Sequence, residues 1–312
     1  MKSKRKLGGD DARDPSSGGN ASEGHDSHWN RMRWGAAFVL LGVFLWAYLP
    51  VLMSIHESWR REQDYSHGYL VVPLAVYFLW LRRSEMPRWS NGFAWGGLGL
   101  IAASVLVRCF GAGIYVDAIV GWSIPLWFAG VCWLLFGRHV AWWAAPAICF
   151  LLFMVPLPYV LEHSLSRPLQ SASTTISSFA FQCCYLPAVS EGNTILLGDE
   201  RLEVERACSG LRIFFGIVAL AYAMLTVAPR SWFIRGLVLL SVAPIALIAN
   251  AGRIFVTGVL FHVGFHENYG DLIHDAAGWL MIPSAALLFW AFLAYVDRLF
   301  PCNQTVDLGD IL

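Results

Sequence analysis

The chain has 312 residues, of which 57% are hydrophobic and only 14% charged, with 15 tryptophans and a formal net charge of zero. So apolar a composition excludes an ordinary soluble domain, and no nucleic-acid partner is expected of it. Apolar stretches of about 20 residues match the length a helix needs to cross about 30 Å of hydrocarbon, which excludes a β-barrel with its alternating strands of about half that length.

In chain order, residues 1–30 come first, polar and rich in Gly, Ser and Asp without periodicity. That is the composition of a disordered tail. Lys2, Lys4, Arg5 and Lys6, with Arg31 and Arg33 ahead of the first apolar run, predict a cytoplasmic N-terminus. No cleavable signal peptide is expected, because the first apolar run starts late, is long enough to span and lacks a small-residue cleavage site. The predicted spans are Trp34–Met53, Gly68–Leu81, Gly92–Val116, Ala118–Phe136, Val140–Leu161, Ala207–Ala228, Gly236–Phe261 and Ala276–Val296. Between the fifth and sixth, "LSRPLQSASTTISSFAFQCCYLPA" (165–188) mixes apolar and hydroxylated positions and reads as an amphipathic or re-entrant helix at the outer face. In "GNTILLGDERLEVE", Thr194–Leu197 and Arg201–Glu205 flank a Gly198-Asp199-Glu200 turn, the pattern of a short β-hairpin.

The expected fold is therefore an all-α polytopic membrane protein of about eight transmembrane helices, with a short periplasmic β-hairpin and the amphipathic or re-entrant helix. Residues 1–30 would be the cytoplasmic tail, 31–300 the transmembrane domain and 301–312 a short C-terminal tail. Under this topology 14 Lys and Arg fall inside against 5 outside, which supports its parity. The 7 cysteines are odd in number and scattered mostly within spans (Cys109, Cys132, Cys149), with neither a disulfide framework nor paired metal spacing. The adjacent Cys183 and Cys184 read as packing residues.

Three side chains from distant parts of the chain converge at the outer end of this topology. Cys208, in "ACSGLR", stands at the start of the Ala207–Ala228 helix. A helix N-terminus and a nearby cation both lower a thiol's ordinary pKa of about 8.5 and favour the nucleophilic thiolate. Arg253, in "NAGRIFVTG", interrupts an apolar helix together with Asn250, where an arginine is costly unless it snorkels or serves a site. It could stabilise the oxyanion of an acyl-transfer intermediate. His274, in "LIHDAAGW", precedes the last span and could act as general acid and base. Tyr65 and His67, in "DYSHGYLVVP", either anchor the interface or line a substrate path. With Asn250 and Arg212 they are the candidate substrate contacts. Two alternatives stay open. His262, His266, Glu267 and Asp271, in the polar loop from His262 to Gly278, could hold a metal for a hydrolase. Arg108, Arg253 and Asn250 could instead line the path of a transporter or scaffold.

Five blocks, "DYSHGYLVVP", "VPLPYVLEHSLSRPLQSAST", "EGNTILLGDERLEVERACSGLR", "NAGRIFVTG" and "HDAAGW", resemble in order and spacing the exosortase/archaeosortase family. The resemblance runs from about Tyr48 to Leu299. It implies a multispanning enzyme of the bacterial inner membrane with its site facing the periplasm. Such an enzyme recognises exported proteins by a C-terminal sorting tail: a short motif such as Pro-Glu-Pro (PEP-CTERM), a transmembrane helix and a basic end. Cleavage by a cysteine mechanism, with transfer to an acceptor and a link to exopolysaccharide production, is what the resemblance further implies. Cys208 would be the nucleophile, Arg253 the transition-state stabiliser and His274 the acid/base. No cofactor and no metal is expected; the partners are the tailed substrates and the bilayer, with the acceptor open.

Overall fold

The computed structural model describes the backbone of residues 19–61, 65–89, 92–198, 200–204, 211–227 and 231–300, and their side chains except at 19–28, 200, 203, 212, 227, 264–279 and 282. Helices dominate these residues: α1 (Gly19–Arg61), α2 (Gly68–Leu81), α3 (Gly96–Gly113), α4 (Asp117–Phe136), α5 (Arg138–Phe150), α6 (Tyr159–Cys183), α7 (Leu211–Val227), α8 (Trp232–Leu260) and α9 (His266–Leu299). Four described stretches are long and apolar enough to cross a membrane, Trp29–Arg61, Gly96–Gly113, Asp117–Phe136 and Trp232–Val263, and a bent pair of helices raises the number to five. Gly68–Leu81 and Ile213–Thr226 are apolar but shorter. The chain is thus a mostly helical membrane protein, while a count of eight spans is not reached among the described residues.

Four sequence expectations need correction. Val140–Leu161 is not one span: α5 stops at Phe150, a 3-10 turn covers Leu151–Met154, and α6 sets off from Tyr159 at 83° to the first limb. Pro156 and Pro158 explain the break, since neither offers a backbone N–H and each pushes the residue before it out of helical geometry. The backbone of 19–30, expected in a disordered tail, extends α1 toward the N-terminus. The polar stretch from His262 to Gly278, expected as a loop, is helical, a π-helical turn at Phe261–Phe265 leading into α9. Its spacing was already helical, with Phe265, Tyr269, Leu272 and Ala276 recurring every three to four residues. Finally, the hairpin is a three-stranded antiparallel meander, in which β1 (Ala188–Glu191) pairs with β2 (Thr194–Leu197) and β2 with β3 (Glu200–Glu203). The additional strand, β1, lies in "LPAVSEG", where too short an apolar alternation signalled it.

The helix ends sort into two groups. At one end Ser54 donates to Asp117 at 2.7 Å and the indole of Trp59 donates to the carbonyl of Met154 at 2.8 Å. At the other, Arg82 and Trp143 bond reciprocally, each side chain donating to the other's carbonyl at 3.1 and 3.0 Å. Between these ends α1, α2, α4 and α5 share one apolar core, in which the hydroxyl of buried Tyr48 bridges Ser104 and Ser123 at 2.9 and 2.8 Å. Arg108 on α3 donates to the carbonyl of Ala47 at 2.6 Å and lies over the Tyr48 ring. Pro50 on α1 lacks the N–H that would bond the Trp46 carbonyl, and the guanidinium donates to the carbonyl next to it. A second core joins α7, α8 and α9, and a third seats the sheet between α6 and α8.

Candidate active site

The first two sequence blocks meet around the α5–α6 break. Tyr65, only 6% exposed, accepts a hydrogen bond from the Leu157 N–H at 3.3 Å and donates to the Glu162 carboxylate at 3.2 Å. The indole of Trp59 covers the neighbouring Met154 carbonyl. Trp59 also lies across Gly68, where any β-carbon would come within 2.2 Å of the ring nitrogen, so only glycine permits that approach. Backbone groups left open by Pro156 and Pro158 are thus satisfied by side chains from the end of α1 and the connection to α2, as buried polar backbone requires.

Two cavities share the wall formed by Tyr65, Val155 and Leu157. One, of about 500 Å³, is lined by Ser54, Ser58, Asp117 and Glu162. The other, of about 540 Å³, is mostly apolar, with His67, Trp122, Phe153, Phe215 and Tyr222 in its lining. Phe215 lies one turn into α7, so the beginning of that helix stands at the same end of the molecule as Tyr65 and His67.

The third and fourth blocks meet on α6 and α8. The last residue after β3, Val204, is fixed on three sides: its N–H donates to the Asn193 carbonyl at 3.0 Å, its carbonyl accepts from the Gln170 side chain, and its own side chain packs in one cluster with Ile254. Ile254 is the neighbour of Arg253. The Arg253 guanidinium lies 3.8 Å from the Met281 sulfur on α9, at the end of the stripe Val242, Ala246, Ala249 that buries α8 against α9. Asn250 is fully buried, donating from Nδ2 to Ser173 on α6 at 3.0 Å.

Of the expected catalytic residues, then, the structure describes Arg253 in full. Cys208 lies outside the described residues, between buried Val204 and buried Leu211. His274 is described in backbone only; it falls within α9 rather than ahead of it, seven residues and about 10 Å of helix before Met281. Arg212 is likewise described only as the second residue of α7. The side chains of His266, Glu267 and Asp271 lie outside the description, and His262 is exposed. Among the described residues, no group of three or more His, Cys, Asp or Glu could hold a metal ion. Arg108 and Asn250, invoked for a transport path, are each engaged at a separate helix interface, one with α1 and the other with α6.

A family model described as transmembrane exosortase (Exosortase_EpsH) matches residues 59–291. The chain belongs to the transmembrane exosortase family. The match takes in all five of the sequence blocks around which the site is built, from Tyr65 through Cys208 and Arg253 to His274, and leaves outside it the polar N-terminal stretch. No curated protein and no solved structure matches the chain.

Within this exosortase-family domain, sequence reasoning missed Trp59, Gln170, Ser173 and Ser177. A signal for the last three existed. Ser166, Gln170, Ser173, Thr174, Ser177 and Ser178 recur at helical spacing, and all are buried. The buried stripe is largely polar, and Val160, Ile176 and Phe179 are among the exposed residues of α6, beside Ser164, Arg167, Ser171 and Thr175. In a membrane protein the apolar face of a helix belongs to lipid and the polar face to its neighbours.

Proposed function

We propose that this chain is a membrane cysteine transpeptidase or protease that cleaves C-terminal sorting tails of the PEP-CTERM kind from exported proteins, at the periplasmic face of the bacterial inner membrane. One observation carries the reading: the exosortase match spans, in a single stretch, all of Cys208, Arg253 and His274. The packing of Val204 with Ile254 supports it, because it ties the strand leading toward Cys208 to the helix that bears Arg253. So does the contact between Arg253 and Met281, on the helix that carries His274.

In this reading the substrate's transmembrane tail docks among the helices and its scissile peptide lies at Cys208. His274 takes the thiol proton; the thiolate attacks the peptide carbonyl, and Arg253 with backbone amides at the start of α7 stabilises the oxyanion. Collapse of the tetrahedral intermediate breaks the C–N bond, His274 protonates the departing amine, and a thioester remains. An amine or water then releases it. Tyr65 and His67, on the cavity walls, and Arg212 are the substrate contacts of this proposal.

The test is co-expression with a protein bearing a sorting tail, comparing tail removal by wild type with that by Cys208→Ala, Arg253→Ala and His274→Ala. Each variant should lose processing while still accumulating in the membrane. Normal processing by Cys208→Ala would end the thiol reading. Processing abolished by a chelator but indifferent to thiol alkylation would establish the metal-hydrolase alternative instead.

A further inference from the structure

Helix α8 is held on two sides by different kinds of contact. Toward α7 and α9 it presents an apolar stripe, Val238, Val242, Ala246 and Ala249, and Arg253 continues that stripe one turn beyond to Met281. Toward α6 the contacts around Asn250 are polar, and beyond them Phe181 of α6 packs against Ile254 and Phe255. Ser173 accepts from Asn250 Nδ2 at 3.0 Å, and Ser177 donates to the Ala251 carbonyl at 3.0 Å. Ser173, Ser177 and Asn250 are all completely buried. The two serines are four residues apart on α6 and form a single face.

Apolar packing alone defines a helix's rotation poorly in a membrane, because lipid chains compete with apolar neighbours on nearly equal terms. Directional bonds do define it. A shift of α8 by one residue would turn it through about 100° and slide it about 1.5 Å, and the bonded groups Asn250 and Ala251 lie within one turn of Arg253. We propose that Ser173 and Ser177 of α6 are positioning residues for Arg253, setting the rotation and depth of α8 that hold the guanidinium at the Met281 end of the apolar seam. The inference rests on the reading in which Arg253 serves the reaction, but the placement it asserts can be measured without turnover.

The experiment uses the full chain in lipid nanodiscs, labels arginine with phenylglyoxal, and reads modification of Arg253 and Arg235 separately by peptide mass spectrometry. In the double variant Ser173→Ala/Ser177→Ala, labelling of Arg253 should rise by at least about threefold, with Arg235 at the other end of α8 unchanged. Ser173→Thr/Ser177→Thr, which keeps both hydroxyls, should restore the wild-type rate. In parallel, the alanine pair should lower kcat for tail removal with KM unchanged, and the threonine pair should recover it. Unchanged Arg253 labelling in the alanine pair overturns the proposal, and so does an equal rise at Arg235, which marks general loosening. Normal processing by Arg253→Ala would sink the catalytic reading alone, since the labelling result stands on its own.

Discussion

Gln170 and Val204, 34 positions apart, are joined by a hydrogen bond from the side-chain amide of the one to the backbone carbonyl of the other. Both are buried, so the bond ties α6 to the end of the sheet away from the surface. Gln170→Leu keeps the volume but strands the Val204 carbonyl, at a cost of about 1–3 kcal/mol. The expected outcome is a protein that still reaches the membrane but processes tails more slowly. Alkylation of Cys208 by a maleimide, followed over time, should change rate in the same variant. Wild-type rates in both assays would show that Val204 needs no such anchor.

The Tyr65 hydroxyl ties the α1–α2 connection to the α5–α6 break. Tyr65→Phe leaves the ring in the cavity wall and removes the acceptor for the Leu157 N–H, so stability should fall by about 1–2 kcal/mol. Denaturant unfolding in mild detergent measures this directly. Glu162→Gln keeps an acceptor for the Tyr65 hydroxyl and should fall less.

Gly258 stands where a β-carbon would come within 2.5 Å of the Phe181 ring. Phe181 is fully buried and flanked by Phe255, so it has little room to withdraw. Gly258→Ala should cost about 1–3 kcal/mol by overpacking. Adding Phe181→Leu should return part of that loss, a non-additivity that a thermal unfolding cycle on the two single variants and the double would reveal.

Arg108 donates to the Ala47 carbonyl on α1, next to the one that Pro50 leaves without its helical N–H. Arg108→Met preserves much of the stem and removes the donor. It should reduce the amount of folded protein in the membrane, while processing per folded molecule stays at the wild-type level. A selective loss of turnover with normal accumulation would instead make Arg108 part of the site.

Much of this organisation was legible in the residues themselves. Apolar run length announced the membrane, and the limits of α4 were readable to within one residue at its start and none at its end. The turn at Gly198 correctly separated β2 from β3. What escaped was set by tertiary context. Apolarity alone made Val140–Leu161 one span, because a hydropathy window weighs Pro156 and Pro158 as mildly apolar residues and not as missing donors. Periodicity found α6 but not the direction of its polar face, since the same spacing serves a helix on water and one that buries its polar stripe. For the site, the blocks around Tyr65 and Glu162 gave no hint of touching, because the bond between them spans 97 positions. Arg253 was picked out by its charge, whereas Gln170, Ser173 and Ser177, with no charge to cost, passed as ordinary polar residues.

The inward-facing hydroxyls of α6 also bear on how the protein is made. During synthesis this segment leaves the ribosome well before α8, and until α8 follows, Ser173 and Ser177 lack the partners that satisfy them. A translocon would find little reason to release it sideways as an independent helix, and the 83° bend at its start leaves it free to lie along the surface meanwhile. Assembly of this half of the molecule therefore awaits the arrival of Asn250 and Ala251, so that truncation ahead of them should leave α6 accessible to protease from the aqueous side.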